Sequence, residues 1–171
     1  PATSSAASDV YKRQAYKKGI FPWFEKDDFL IWWSPDPRMV LYLDEIKISK
    51  SMRLLMKKNK YEITYNRAFS EVVKSCAQVK RFGQSGTWIT PGLMNVYNIL
   101  HEQGHAHSVE IWDGVKLVGG LYGIDIGDIF CGESMFSKAS NSSKLALIYL
   151  SKELKKNNYK FIDCQVPTAH L

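Results

Sequence analysis

The stretch HSVEIWDGVKLVGGLYGIDIGDIFCGESMF, residues 107–136, decides the fold. Within it apolar residues alternate with polar or small residues at a period of two, which is typical of β-strands. Asp113-Gly114 and Gly127-Asp128 interrupt the alternation with residue pairs that favour tight turns. The stretch therefore predicts a three-stranded antiparallel meander over 108–112, 115–126 and 129–136.

The sequence on both sides of the meander predicts helices and further strands. Asn141 or Ser142 is a candidate N-cap for a helix to about Lys156, and residues 160–165 predict a last apolar strand. On the N-terminal side, helices are predicted over 49–59, 66–77 and 91–104, and strands over 30–33 and 61–65. A meander followed by a crossover helix and a returning strand indicates the α+β class. We expect a GNAT-like acyltransferase domain with a mixed sheet and flanking helices, preceded by a smaller N-terminal domain.

Composition divides the chain into three parts. Residues 1–14 are small and polar, without periodicity, and are interpreted as a disordered or foreign lead. Residues 15–60 are interpreted as an N-terminal aromatic and basic segment, and residues 61–171 as the catalytic domain, truncated at its C-terminus.

The chain is expected to be a cytoplasmic monomer. No run approaches the ~20 apolar residues of a membrane-spanning helix, and no secretory signal is recognisable. Three cysteines without a close pair favour reduced thiols.

Positive charge concentrates in the N-terminal part. The net charge is +6, and residues 1–60 carry twelve Lys and Arg against seven Asp and Glu. On the predicted helix Lys50, Arg53, Lys57 and Lys60 form one stripe, which would attract the phosphates of a polyanion. A solvated helix face is the alternative interpretation.

The sequence contains one motif that resembles a metal site. His101-Glu102-Gln103-Gly104-His105 matches H-E-x-x-H, the helical zinc motif of metalloproteases. Gly104 is predicted to end the helix, which leaves His105 beyond the face that would have to carry both histidines. No third ligand follows at a suitable spacing, so no metal is expected.

A CoA-dependent acyltransferase is the stronger competing hypothesis. Such an enzyme holds the pyrophosphate of its cofactor with a glycine-rich loop before the helix that follows the meander. That junction, residues 137–144, contains no glycine. The acyltransferase fold is therefore expected without a nucleotide cofactor.

Three polar residues near the ends of strands are candidates for a catalytic centre. Asp163 and Gln165 are two residues apart on a strand and so project from the same face, while Glu133 lies on the third meander strand. An acid between Ile162 and Cys164 is unlike an ordinary surface acid, because burying an unpaired charge is costly. We therefore interpret Asp163 and Gln165 as a functional pair. A structural role for each of the three residues taken alone is the alternative interpretation.

Six strings follow one another along the chain: GIFPWF at 19–24, WWSPDPR at 32–38, GHAHS at 104–108, VGGLYG at 118–123, GESMF at 132–136 and DCQ at 163–165. Together they resemble the leucyl/phenylalanyl-tRNA-protein transferase family, and the resemblance runs from residue 15 to residue 171. It implies transfer of Leu, Phe or Met from aminoacyl-tRNA to proteins that begin with Arg or Lys, which marks them for N-degron proteolysis. It implies neither a metal nor CoA.

The resemblance also implies roles for individual residues. Glu133, Asp163 and Gln165 would form its polar catalytic centre. In the mechanism that we expect, Asp163 orients Gln165, Gln165 holds the acceptor amine, and Glu133 favours a cationic acceptor terminus or helps to orient the centre. Trp23 and Trp88 would stack on the 3′-terminal adenosine. The residues placed at the amino-acid pocket are Leu121, Phe130, Met135, Tyr149 and Ile162. Two alternatives stay open: an aminoacyl-tRNA transferase for a cell-wall precursor, and a tRNA-binding module without catalysis.

Overall fold

The computed structural model describes residues 13–23, 31–79 and 87–167, so most of the predicted lead and the last four residues lie outside the described chain. The described residues form a six-stranded mixed sheet with flanking helices and a separate two-stranded sheet. The strands are β1 (Phe21–Trp23), β2 (Ile31–Trp33), β3 (Met39–Tyr42), β4 (Glu62–Tyr65), β5 (Ala106–Asp113), β6 (Lys116–Asp125), β7 (Ile129–Ser137) and β8 (Phe161–Gln165). Besides helical residues at 13–17, the helices are α1 (Lys50–Lys57), α2 (Phe69–Gln78), α3 (Pro91–Glu102) and α4 (Ser142–Lys156).

The predicted meander is the centre of the main sheet. β5, β6 and β7 pair antiparallel, and α4 carries the chain back to β8, which pairs with β7 in parallel. The strand order is β3-β8-β7-β6-β5-β4. This topology confirms the α+β class with a mixed sheet and a crossover helix.

β3 is a strand that the periodicity did not predict. It pairs antiparallel with β8 and forms the edge of the main sheet beyond it. Leu43, directly after β3, and Met52 of α1 pack into the same hydrophobic cluster as α4. The main sheet thus includes part of residues 15–60, and a domain boundary at residue 60 stays a prediction.

The core has two layers, one on each face of the sheet, because side chains alternate along the strands. On β6, Tyr122 packs with α2 and α3, whereas its neighbour Leu121 packs with α4. Gly119 lets α4 approach this strand, since a Cβ there would lie 2.3 Å from the side-chain oxygen of Ser142. Gly119 therefore permits close packing of the crossover helix.

Two helices begin at a residue with a capping side chain and one ends before the predicted glycine, whereas Asn141, the residue before α4, makes no side-chain capping hydrogen bond. The hydroxyl of Ser49 accepts the backbone N–H of Met52 at 3.3 Å at the start of α1, and Thr90 accepts that of Leu93 at 3.3 Å before α3. Gly104, at φ 77°, follows the end of α3 as predicted. His105 consequently lies outside the helix.

His101 has a structural environment in the described chain. Its Nδ1 lies 2.8 Å from the carbonyl oxygen of Ala106, and its ring stacks on Phe69 at a centroid distance of 4.2 Å. No group of three or more His, Cys, Asp and Glu residues placed to hold a metal occurs within the described ranges. None of the helices in this part of the chain combines the length and apolar character needed to cross a bilayer.

One element of the basic stripe was predicted wrongly. Lys50, Arg53 and Lys57 lie on α1 and are exposed, but the helix ends at Lys57, so Lys60 is not on it. Lys60 Nζ instead lies 3.4 Å from a carboxylate oxygen of Asp113. The helix stops short because Asn59 adopts a left-handed φ of 46°.

Candidate active site

Asp163, the third residue of β8, is buried and paired with Arg38. Arg38 Nε donates to Asp163 Oδ1 at 2.9 Å and Nη2 donates to Oδ2 at 2.7 Å, which is a two-point hydrogen-bonded ion pair. The third donor, Nη1, reaches the carbonyl oxygen of Gly19 at 2.8 Å, and the guanidinium carbon lies 5.0 Å from the ring centroid of Phe21. The buried charge of Asp163 is thus balanced.

Asp163 also holds the backbone of Gln165. Asp163 Oδ1 accepts the backbone N–H of Gln165 at 2.9 Å, and Gln165 has a φ of 65°, in the left-handed region that is uncommon for residues other than glycine. Carboxylates stabilise such local turns by accepting a backbone N–H two residues on. The two residues therefore interact from side chain to backbone, not through two side chains on one face of an ideal strand.

A β-bulge brings Glu133 to the same site. Tyr122 pairs with Ser134 and Gly123 pairs with Gly132, so Glu133 is an extra residue of β7 with no partner on β6. The extra residue changes which face the following side chains occupy. Glu133 consequently projects toward α3 and β8, although Met135, two residues later, packs in the opposite layer.

The carboxyl group of Glu133 is surrounded by donors. Its Oε2 accepts the hydroxyl of Tyr97 at 2.6 Å, and its Oε1 accepts Gln165 Nε2 at 3.0 Å. The hydroxyls of Tyr97 and Tyr16 lie 3.4 Å apart. Because this amide nitrogen points to Glu133, the carbonyl oxygen of Gln165 is its remaining side-chain acceptor.

Glu133 has an unusual protonation equilibrium. Part of the residue's surface is accessible, but its carboxyl group is enclosed by protein, and this burial raises the pKa of Glu133 to about 7. Hydrogen bonds from Tyr97, Tyr16 and Gln165 oppose the rise, while the nearby charge of Asp163 adds to it. Burial and the charge of Glu133 raise the pKa of both tyrosines, so their hydroxyls stay protonated.

A cavity of about 370 Å³ adjoins the ion pair. It is bordered by the segment 16–19, the turn and strand at 34–40, and the neighbouring ends of β7 and β8. Arg38 and Asp163 lie on its wall, together with apolar residues such as Ile129 and Phe161. Arg38 and Asp163 thus face a space large enough to admit part of a substrate, whereas Glu133 and Gln165 are not among its lining residues.

The residues assigned to an amino-acid pocket lie elsewhere, in the layer beneath α4. All five belong to or pack against one hydrophobic cluster: Leu121, Phe130, Met135, Tyr149 and Ile162. Met135 and Tyr149 are only partly buried, whereas the other three are core residues. None of the five lines the 370 Å³ cavity.

The structure places the two tryptophans differently. Trp88 is half-buried and packs against the cluster formed by α2 and α3, directly before α3 begins. Trp23 ends β1, and its side chain lies outside the described part of the chain. Their stacking on a nucleotide stays a prediction.

Sequence reasoning missed Arg38, Tyr16 and Tyr97 as members of this site. Tyr97 falls on the apolar stripe of α3 with Leu93 and Leu100, so its position indicates only a core residue. Arg38 follows a proline-rich turn, and its partner is 125 residues away. The one available signal was the acid at position 163 between apolar residues. A buried acid requires a cationic partner, but the sequence does not indicate which residue provides it.

Family models match almost the whole described chain. The model for leucyl/phenylalanyl-tRNA protein transferase matches residues 40–171, and that for the N-terminal domain of this transferase matches residues 13–36. Among solved structures, "The structure of L-PGS from Bacillus licheniformis" is similar with a TM-score of 0.52 and 13% identity, over 92% of this chain and 52% of that one. That likeness supports the fold alone.

Curated relatives agree with the family models. A protein of Flavobacterium johnsoniae is 58% identical over 92% of this chain and 74% of its own length, and one of Christiangramia forsetii is 52% identical over 92% and 76%. Both are named leucyl/phenylalanyl-tRNA–protein transferase. The chain therefore belongs to the leucyl/phenylalanyl-tRNA-protein transferase family.

Proposed function

We propose that this chain transfers Leu, Phe or Met from aminoacyl-tRNA to the N-terminal Arg or Lys of acceptor proteins and so marks them for N-degron proteolysis. Family membership supports the reaction class. The observation that carries the site is the hydrogen-bonded array of Asp163, Gln165 and Glu133 beside an open cavity. A GNAT-like domain in a cytoplasmic, monomeric protein is part of this proposal.

The reaction is aminolysis of an ester. The α-amino group of the acceptor attacks the aminoacyl carbonyl, the bond to the 3′-terminal ribose oxygen breaks, and one proton passes from the amine to the released hydroxyl. An α-amino group has a reference pKa near 7.7–8.0, so deprotonating it at neutral pH costs little. No external energy source is needed, because the ester is already activated.

The proposed mechanism has a task for each polar residue, and the geometry supports it. Gln165 donates its amide N–H to Glu133, which leaves its carbonyl oxygen as the acceptor for an amine N–H. Asp163 fixes the backbone from which that amide projects. Glu133, with a pKa of about 7, can hold a proton or a negative charge near the amine at neutral pH. Positioning of two bound substrates would supply several kcal/mol more.

One assay separates this proposal from its alternatives. Labelled Leu on tRNA is incubated with the full-length protein and a peptide that begins with Arg, and the peptide is analysed for label. Transfer to this peptide supports the proposal. Binding of tRNA without transfer would indicate a non-catalytic module, and transfer only to a cell-wall precursor would indicate the other enzyme class.

Replacing Lys50, Arg53 and Lys57 together by Ala should weaken tRNA binding and reduce its dependence on salt. Each phosphate contact adds about one unit to the slope of log affinity against log salt, so the slope should fall by up to about three. Lys60→Ala is the control, because Lys60 is already paired with Asp113 and should contribute less. Unchanged affinity and slope, measured by filter binding over a salt series, would show that α1 does not contact the tRNA.

Met135→Ala should change the ratio of Leu to Phe transfer without abolishing the reaction. Met135 is partly buried beside the core residues assigned to the amino-acid pocket, and one methylene more or less is worth about 1–3 kcal/mol in such a pocket. Competition between Leu-tRNA and Phe-tRNA measures the ratio. Met94→Ala is a matched control, since Met94 is also partly buried but packs in the opposite layer. An equal ratio in both variants would remove Met135 from the pocket.

A further inference from the structure

Arg38 makes more contacts around the candidate active site than a charge partner of Asp163 requires. We propose that Arg38 is a positioning residue of the transfer reaction, which fixes the carboxylate of Asp163 and, through it, the backbone of Gln165. This inference rests on the proposed function, because its effect is read in the rate of transfer. The mechanism proposed above assigns no role to Arg38.

The guanidinium of Arg38 is anchored independently of Asp163. Nη1 donates to the carbonyl oxygen of Gly19 at 2.8 Å, and the ring of Phe21 faces the guanidinium at 5.0 Å. Both contacts come from the segment that precedes β2, whereas Asp163 lies on β8 of the main sheet. Arg38 therefore connects this N-terminal segment to Asp163 on β8.

The carboxylate of Asp163 divides its contacts so that its orientation matters. Oδ1 accepts from both Arg38 Nε and the backbone N–H of Gln165, each at 2.9 Å, while Oδ2 accepts Arg38 Nη2 at 2.7 Å. Rotation of the carboxylate would break the bond to the backbone of Gln165. The two-point contact with Arg38 prevents that rotation.

The consequence reaches the side chain of Gln165. Its left-handed backbone, at φ 65°, is unfavourable without the bond to Asp163. This conformation directs Gln165 Nε2 to Glu133 at 3.0 Å. A continuous series of hydrogen bonds thus runs from Gly19 through Arg38, Asp163 and Gln165 to Glu133.

A lysine at position 38 would keep the charge but lose this geometry. The three contacts of Arg38 use Nε, Nη1 and Nη2 of one rigid plane, whereas an ammonium group is a single point with rotatable donors. Arg38→Lys therefore separates positioning from charge balance. A residue needed only to neutralise Asp163 would tolerate the change.

The test is single-turnover transfer to an Arg-starting peptide by full-length wild-type, Arg38→Lys and Asp163→Asn proteins, and by the double variant. Arg38→Lys should lower the rate at saturating substrates by about 10-fold or more, because small misplacements of catalytic groups have effects of this size. The dissociation constant for tRNA should stay within about 2-fold of wild type. The double variant should be no slower than Asp163→Asn alone, since both changes disturb one unit.

Arg67→Lys is the matched control. Arg67 also pairs with a carboxylate, Glu62 at 2.7 Å, and also lies over an aromatic ring, Trp112 at 5.2 Å, but it belongs to the opposite edge of the sheet. This variant should retain the wild-type rate. An equal loss in Arg67→Lys and Arg38→Lys would overturn the proposal.

A second measurement applies if Arg38→Lys does not fold. Arg38→Ala leaves space beside the 370 Å³ cavity, so millimolar guanidinium should restore part of its rate, whereas sodium at equal ionic strength should not. Full activity of Arg38→Lys, multiplicative losses in the double variant, or no rescue of Arg38→Ala would each contradict a positioning role. Absence of transfer by the wild-type protein would instead overturn the proposed function.

Discussion

Asp163→Asn and Gln165→Ala are each expected to lower the single-turnover transfer rate by about 10²-fold or more, the usual size of losing proton-transfer or positioning help. Asp163→Asn keeps the size of the side chain but replaces one acceptor oxygen by an NH2 group, so the two-point contact with Arg38 is lost. Gln165→Ala removes the amide that Glu133 holds and that would accept the amine's hydrogen bond.

The two losses should not multiply in the double variant, because Asp163 acts through the backbone of Gln165. Asp113→Asn is a suitable control, since Asp113 is an exposed acid paired with Lys60. Rates are measured at saturating tRNA and peptide, and tRNA affinity is measured separately. Near-normal rates, or losses explained by equal losses of tRNA binding, would show that these residues are structural.

Glu133→Gln should stabilise the protein above pH 7 by as much as about 3 kcal/mol. Burial raises the pKa of Glu133 from its ordinary value of 4.5 to about 7, and this difference corresponds to about 3 kcal/mol. The folded protein holds this proton more tightly than the unfolded chain does. Stability is therefore lost as pH rises from about 4.5 to about 7, and the loss is complete at higher pH. A neutral amide avoids the cost of ionisation.

Urea unfolding of wild type and Glu133→Gln at pH 5 and pH 8 measures this difference. The two proteins should be close in stability at pH 5, where the wild-type carboxyl is largely protonated, and should diverge at pH 8. Glu62→Gln provides the control, because Glu62 is exposed and pairs with Arg67. An equal stability difference at the two pH values would show that ionisation of Glu133 does not destabilise the protein.

Local patterns were sufficient to predict most of the secondary structure. The period of two over β5, β6 and β7 reflects strand geometry, because successive side chains turn to opposite faces of the sheet and pack in different core layers. Ser49, Thr90 and Gly104 mark helix ends through hydrogen bonds and backbone conformations that involve neighbouring residues only. Interactions between neighbouring residues can therefore be predicted from a single sequence.

Long-range pairings were not predictable in the same way. β3 has four residues, and its partner β8 lies about 120 residues away, so no local feature indicates that the two strands meet. Arg38 is likewise separated from Asp163 by 125 residues. The bulge that redirects Glu133 depends on how β6 and β7 align, and a residue count within β7 does not determine it.

The candidate site was accordingly predicted as a set of residues and not as an arrangement. Asp163, Gln165 and Glu133 are connected by hydrogen bonds, but Asp163 contacts the backbone of Gln165 while Glu133 contacts its side chain. The expectation assumed an ideal strand through residue 165. The positive φ of Gln165 departs from that ideal. As a result, the backbone N–H of Gln165 bonds to Asp163 and its side chain bonds to Glu133.

The bulge at Glu133 has a consequence for how this site could arise or disappear. Because residue 133 has no partner on β6, a chain lacking it would retain the pairings of Tyr122 with Ser134 and of Gly123 with Gly132. The ladder would close into a regular antiparallel pair, and both core layers would keep their side chains. A single-codon deletion would thus remove the acid and leave the scaffold, whereas insertion of one residue at this point of a regular sheet would supply an inward carboxylate.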